Sequence, residues 1–398
     1  MSTPQVTFLC GLLPKAGVLA EKVSFTLALA RSPGYTGGPF CREALASAFD
    51  EEDHAARASR AAFGMRRELR RFSRLRTSAG LVSLRMSVGI HSGSFDFFLV
   101  GKSHRELVIA GPEASRTVAM EQIAGAGEIA ISPETAALLP TGVVGRPKDE
   151  AFLLKSEPEA DVRRARPVTA ADTEGLDIAS CVPVVIRDYL LAGGGETEHR
   201  HVAVAFVQFS GTDELLASAG PEAAAAALDE VISSVQEAVD EHGVSFHETD
   251  VDTNGGKVLL VAGAPRASDS DEERMLRALR AIADREHSLR LRMGVNNGHV
   301  FTGNFGPPYR RTYSIKGDVV NLAARVMAKA QPGQILVTPS VLERSATVFQ
   351  VEAIDPFMAK GKKFPVNASA LGRVIGSRRG SVQSELPFVG REREVAVL

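Results

Sequence analysis

Residues 311–325 read RTYSIKGDVVNLAAR, and this run decides how the rest of the chain is understood. It has the form of a short strand, a glycine and a helix. Within the predicted helix Asn321 and Arg325 stand four apart, so they project from one face about a turn from each other. Such a pair on its own is most often a solvated helix face. What surrounds it decides whether it is more.

Outward from this run the chain nearly repeats itself. Leu84 begins LRMSVGIHSG and Leu291 begins LRMGVNNGHVFTG; Gly111 and Gly317 follow after 27 and 26 residues, and Gly127 and Gly333 sixteen residues beyond those. A matching order of elements at matching spacing is the mark of a duplicated domain. In the first copy, residues 54–71 have the composition of a helix and residues 81–91 alternate as a half-buried strand. In the second, residues 201–209 read as a strand and 221–242 as a long helix. Residues 244–250 and 257–262 follow as a hairpin around Thr253-Asn254-Gly255-Gly256, then 271–285 as a helix and 289–297 as a strand. Residues 1–48 show no sustained period and stay unassigned; 49–150 form a partial copy, 151–199 a linker with one short helix at 184–191, 200–376 a full copy, and 377–398 a further linker. Strands mixed with helices gathered on one face predict an α+β sandwich.

Bulk properties narrow the classes. The 398 residues allow two domains, 44% apolar and 24% charged residues are ordinary for a globular protein, and a net charge of −2 gives no reason to expect nucleic acid or an anionic membrane as partner. The longest apolar stretches, such as 258–264, fall short of the ~20 residues that span a bilayer. The N-terminus lacks the basic start of a secretory signal. Cys10, Cys41 and Cys181 are far apart without CxxC spacing, which argues against a disulfide scaffold or zinc site and for a cytoplasmic protein. His91, His104 and His299 lack metal-ligand spacing and are expected to be structural or exposed.

The order of these elements, and above all YSIKGDVVNLAAR (313–325) followed by KAQPGQILVTPSV (329–341), resembles the class III adenylyl/guanylyl cyclase homology domain. The resemblance covers nearly all of residues 200–376 and about half of a second copy at 49–145. The gap between the copies and the string LPFVGRERE (386–394) are similar to the soluble, bicarbonate-responsive type, whose tandem domains precede an ATPase module. No GxxxxGK[ST] loop occurs, so the chain is expected to stop before such a module. The resemblance implies a duplicated ferredoxin-like α+β sandwich with the first copy incomplete, and conversion of ATP to cAMP and pyrophosphate with Mg2+ or Mn2+. It implies that Asn321 orients the ribose and that Arg325, whose planar donors suit phosphate oxygens, stabilises the transition state. Ser314 would read the base, leaning towards ATP because a hydroxyl both donates and accepts. Lys257 would partner it, and Lys360, near Lys362 in MAKGKKFPV (358–366), would hold the terminal phosphates.

The departures from the pattern matter as much. Two aspartates normally hold two divalent ions; in the second copy their places hold Gln208 and Gly256, while Asp250 and Asp252 read as turn residues of the hairpin. In the tandem type the first copy brings the aspartates, yet no match to either metal-bearing strand precedes Phe49. The first copy also has Val108, Ser115 and Ala119 where the second has Ser314, Asn321 and Arg325. No metal ligand is therefore assigned. Without two carboxylates the triphosphate charge is uncompensated, which favours a catalytically degenerate homologue that binds ATP or pairs with another cyclase homology domain. The alternative is an active adenylate cyclase whose metal ligands come from a partner chain or from residues 1–48. An incomplete sandwich also leaves a sheet edge open to pairing.

Overall fold

Each copy is built on one long strand flanked by a shorter antiparallel partner and a parallel one. The computed structural model describes residues 19–31, 42–48, 53–160 (except 73, 78 and 79), 177–306, 312–359 and 362–378. The first copy comprises β1 (Leu19–Arg31), β2 (Arg42–Ala48), α1 (His54–Arg70), β3 (Leu75–Thr77), β4 (Gly80–Val82), β5 (Ser87–Val100), β6 (Glu106–Ala110), α2 (Pro112–Ile123), β7 (Ile129–Ile131), α3 (Pro133–Ala137), β8 (Val144–Lys148) and β9 (Ala151–Leu154). A 3-10 turn (Ile178–Cys181) and α4 (Val184–Leu191) connect it to the second. The second comprises β10 (Glu198–Ser210), α5 (Thr212–His242), β11 (Ser245–Asp252), β12 (Gly255–Ala262), α6 (Asp271–Ala283), β13 (Arg290–Phe305), β14 (Thr312–Lys316), α7 (Asp318–Lys329), β15 (Ile335–Val337), α8 (Pro339–Glu343), β16 (Thr347–Ala353) and β17 (Ser369–Ser377).

The sheet order β2-β1-β5-β7-β9-β8 matches β12-β10-β13-β15-β17-β16 position for position, with β6 on β5 and β14 on β13, and the second sheet adds β11 beside β12. Two elements lack a first-copy counterpart among the described residues: the long α5 and the edge strand β11. In the sequence ten residues, 32–41, separate β1 from β2, whereas 211–254 separate β10 from β12. The α+β class and the incomplete first copy thus hold. Residues 1–48, unassigned from sequence, nevertheless contain β1 and β2, the strands expected to be missing. Their run of alanines, Ser and Thr offered no clear period.

The repeat is real, but its register differs from the one the LRM triplets suggest. Val88 faces Ile129 across the parallel pair, as Met293 faces Ile335. This makes Gly89 the equivalent of Gly294, two residues away from the LRM match. The reason is steric: a β-carbon on either glycine would sit 2.1 Å from a helix backbone nitrogen, that of Glu121 or Met327. The crossing helix fixes the register, and the triplets are coincidence.

In the second copy both faces of the sheet are covered. Ala203, Ala205, Val207 and Phe209 pack with Leu228, Val231 and Val235 of α5 and Met275 and Leu279 of α6. Val202, Val204 and Phe206 pack with Val320, Ala323, Ala324 and Met327 of α7. The helices expected on one face are therefore divided between two, which explains why β10 is apolar without alternation from Val202 to Val207. The kink in α5 falls at Gly220, whose φ of 84° is non-helical, next to Pro221.

The copies meet along the β5–β6 arm. Phe98, Val100, Val108 and Ala110 join the core that α5 covers. Buried Gln236 of α5 accepts hydrogen bonds from the backbone N–H of Lys102 (2.7 Å) and Ser103 (3.2 Å) and donates to the His104 carbonyl (2.8 Å). Asp229 accepts from the Gly101 N–H at 2.8 Å, and Glu106 accepts from the Thr249 hydroxyl at 2.7 Å. Two of the three histidines noted in the sequence, His91 and His104, are buried structural groups, and His299 is exposed.

Candidate functional site

The pleat of the second sheet lines up one polar row. Gln208 faces Lys257 and Arg292 across its two neighbours, and Lys257 faces Asp250. Side chains two apart share a face, so this row lies on the side of Val204 and Phe206, the face that α7 covers. Lys257 is 3% exposed; its ammonium sits 2.9 Å from Asp250 and 3.8 Å from Asp252. The Gln208 amide donates to Asp252 at 3.0 Å, and Gln208 in turn accepts from the Arg292 guanidinium. Asp250 and Asp252 are therefore not turn residues. They lie on β11 and neutralise a buried lysine, as a buried cation requires.

This arrangement does not fit two divalent cations. Gln208 is spent on Asp252 and Arg292, and a lysine charge already lies beside the two carboxylates. A side chain at Gly256 would run into the Phe209 ring at 2.6 Å and the Asp250 carbonyl at 3.0 Å. No group of three His, Cys, Asp or Glu poised for a metal occurs among the described residues. In the first copy the same positions follow from strand register. Arg31 faces Ser87 and Arg42 as Gln208 faces Arg292 and Lys257. The counterpart of Gly256 falls on residue 41, a cysteine outside the described residues, and residues 32–41 contain no Asp or Glu.

The helix pair is in place. Asn321 (9% exposed) and the half-buried Arg325 lie on α7, with Gly317 and Asp318 opening the helix. Burial lowers the Arg325 pKa from its ordinary value while Asp318 opposes the shift, and a guanidinium keeps its proton regardless. Asp318 pairs with Lys362. Lys360 lies outside the described residues; its neighbour Lys362 is the lysine seen to reach the start of α7. Ser314 is buried on β14 beside Lys316. Lys316 and Lys257 both act on Glu248, whose carboxyl is pushed up to about 7 by burial first and by Asp250 second. Ser314 and Lys257 thus belong to strands that converge on the same acidic patch. Sequence reasoning missed Arg292 and Glu248. Only the two-residue alternation of their strands could have placed them on this face.

The model of the adenylate and guanylate cyclase catalytic domain matches the chain twice, at residues 43–169 and 196–369, about three quarters of its length. The chain belongs to that family. Among curated relatives, Uncharacterized protein Rv1318c of Mycobacterium tuberculosis is 32% identical over 155 residues, covering 37% of this chain and 28% of that protein. Uncharacterized protein Mb1353c of Mycobacterium bovis matches with the same identity, length and shares: 32%, 155 residues, 37% and 28%. The chain thus spans less than a third of these relatives' length. Among solved structures, the adenylyl cyclase CyaB from P. aeruginosa is similar at 24% identity and a TM-score of 0.41, over 46% of this chain and 98% of that one. The guanylate cyclase domain of RhGC from Catenaria anguillulae, in complex with GTP, is similar at 20% identity and a TM-score of 0.40, over 46% and 100%. Among the described residues no helix is long and apolar enough to cross a membrane.

Proposed function

We propose that this chain is a nucleotidyl cyclase homologue, descended from an enzyme converting ATP to cAMP and pyrophosphate, that has lost catalysis and retains the ribose- and phosphate-facing half of the site. One observation carries the reading: among the described residues neither copy offers a carboxylate where the family's two metal ligands are expected. In support, Gln208 and Arg31 share one register position, Gly256 occupies the other in the second copy, and the first-copy sequence from 32 to 41 contains no Asp or Glu. Charge on a transferring phosphate must be met by fixed positive partners. Asn321, Arg325 and Lys362 can bind and orient the ribose and phosphates of ATP, with Ser314 facing the base. They cannot by themselves activate the ribose hydroxyl, so binding outlasts turnover. Lys257 serves as an internal counter-ion to Asp250 and Asp252 in this reading, in place of the base-reading role its sequence position suggests.

The retained pair keeps an alternative alive: an active adenylate cyclase that borrows its metal ligands from a second cyclase homology domain. One assay separates them. The chain is incubated with ATP and Mg2+ or Mn2+, with Arg325→Ala as control, and cAMP is measured beside ATP binding. The degenerate reading expects ATP binding that Arg325→Ala weakens and no cAMP above background. Turnover that Arg325→Ala abolishes would overturn it.

A further inference from the structure

Away from the polar row, the two copies differ in the connection between a helix and the central strand. In the second copy α6 ends at Ala283 and β13 starts at Arg290, whereas in the first α1 ends at Arg70 and β5 starts only at Ser87. The first-copy stretch from Arg66 to Arg85 holds seven arginines and a single acid, Glu68. Two of these are neutralised locally, Arg67 by Glu157 at 2.9 Å and Arg71 by Glu68 at 2.6 Å. Four others, Arg66, Arg70, Arg74 and Arg85, line one cavity of about 490 Å3. None of the four makes an ion pair among the described residues.

Such a concentration of like charge works against folding unless something offsets it. Arg66 is nonetheless held in place: its guanidinium lies 4.0 Å above the Phe63 ring and reaches the Gly127 carbonyl at 3.5 Å. Burial, and after it the neighbouring Arg70, lowers its pKa. Gly127 adopts a φ of 90°, and Arg85 stacks its stem 4.0 Å from the place of the missing β-carbon. A guanidinium fixed by stacking and by one hydrogen bond has its remaining donors pre-arranged for an oxyanion.

We propose that this cavity is a second ligand site, distinct from the face carrying Asn321 and Arg325, that binds the polyphosphate chain of a nucleotide or of a free polyphosphate. Four guanidinium groups call for a ligand with several negative charges in a small volume, and planar Arg donors grip phosphate oxygens in pairs. The cavity falls within the range that takes small molecules, roughly 300–1,000 Å3. Leu69 and Leu84 add an apolar wall suited to a base or sugar edge. A nucleic-acid strand is disfavoured because its binding grooves interleave stacking aromatics with positive charge, and no aromatic side chain lines this cavity.

The test uses calorimetry on the full chain carrying Arg325→Ala, which weakens binding at the cyclase face, with inorganic triphosphate and ADP as separate probes. The expected result is one saturable site that Arg66→Gln with Arg70→Gln weakens by roughly a hundred-fold, about ten-fold for each charged hydrogen-bonding group removed. Arg85→Gln, a change at an exposed side chain, should alone weaken it about ten-fold; this second variant guards against misfolding of the first. Tighter binding of ADP would mark a nucleotide as the natural occupant, and equal affinity a free polyphosphate. The proposal fails if neither probe saturates, or if both bind equally well to the Arg66→Gln/Arg70→Gln and Arg85→Gln chains. It also fails if only phosphatidylserine vesicles or single-stranded DNA bind.

Discussion

Replacing Lys257 by Met tests whether this lysine is a fixed counter-ion or a ligand-reading group. Lys257 is 3% exposed, and its ammonium lies 2.9 Å from one carboxylate and 3.8 Å from another. Methionine keeps most of the volume and removes the charge, so Asp250 and Asp252 would face each other without the ammonium between them, leaving the Gln208 amide on Asp252 and Lys316 near Glu248. Breaking a buried ion pair by removing one partner costs about 3–5 kcal/mol. Here Asp250 and Asp252 retain 22% and 17% of their side-chain exposure, so water takes over part of the screening. The lower end, about 3 kcal/mol, is the expected loss. Urea unfolding followed by circular dichroism reads it as a fall in midpoint. The same variant gathers carboxylate oxygens around a vacated cation position, so millimolar Mn2+ should recover much of the midpoint in the variant and leave the parent unchanged. A midpoint within experimental error of the parent, or no response to Mn2+, would refute the counter-ion argument.

Three further outcomes follow from the geometry. His247 and Glu248 are neighbours with opposite pH signatures: burial drops the imidazole to about 4 and lifts the carboxyl to about 7. Below its unfolded value near 6.5 the histidine takes up a proton only in the unfolded chain, so it removes stability as pH falls from 6.5 towards 4. Glu248 gives up its proton first in the unfolded chain, so it removes stability as pH rises from 4.5 towards 7. Glu248→Gln should therefore abolish the second loss and expose the first, seen by thermal melts across this range. Gly294→Ala should cost more than about 3 kcal/mol, because its β-carbon would sit 2.1 Å from the Met327 backbone nitrogen, which cannot move alone; chemical denaturation measures it. Gln236→Ala leaves two backbone N–H groups and one carbonyl of the β5–β6 arm without their partner. It should cost about 2–4 kcal/mol and speed amide exchange at Lys102 and Ser103 before the rest of the molecule.

Much of the second copy was legible in the sequence because its punctuation is strong. The linker helix was placed at 184–191 and found at Val184–Leu191; the hairpin around Asn254 and the strand–glycine–helix run sit where their residues suggested. The first copy was harder for physical reasons. β1 and β2 carry small and mixed residues, β1 pairs non-locally with β5 and β2 pairs with β1 at the edge, so no local period betrays them. The LRM triplets misled because short identities arise by chance, whereas the tight passage of a helix over Gly89 and Gly294 is visible only in three dimensions. At the site, sequence gave residue types but not their pairing. Asp250 and Asp252 looked like turn residues until the register set them opposite Lys257.

Ser115 shows what happens to a site after duplication. By register it occupies in the first copy the place of Asn321 in the second, yet its hydroxyl donates to Asp213 at 2.6 Å and accepts from the Asn254 N–H at 2.7 Å, both in the other copy. The position serves as mortar between the halves. Replacing it by Asn would disturb this joint, because both the bond to Asp213 and the bond from Asn254 depend on the small hydroxyl. The two copies are in this sense unequal partners: what is a helix face in one is a joint between the halves in the other.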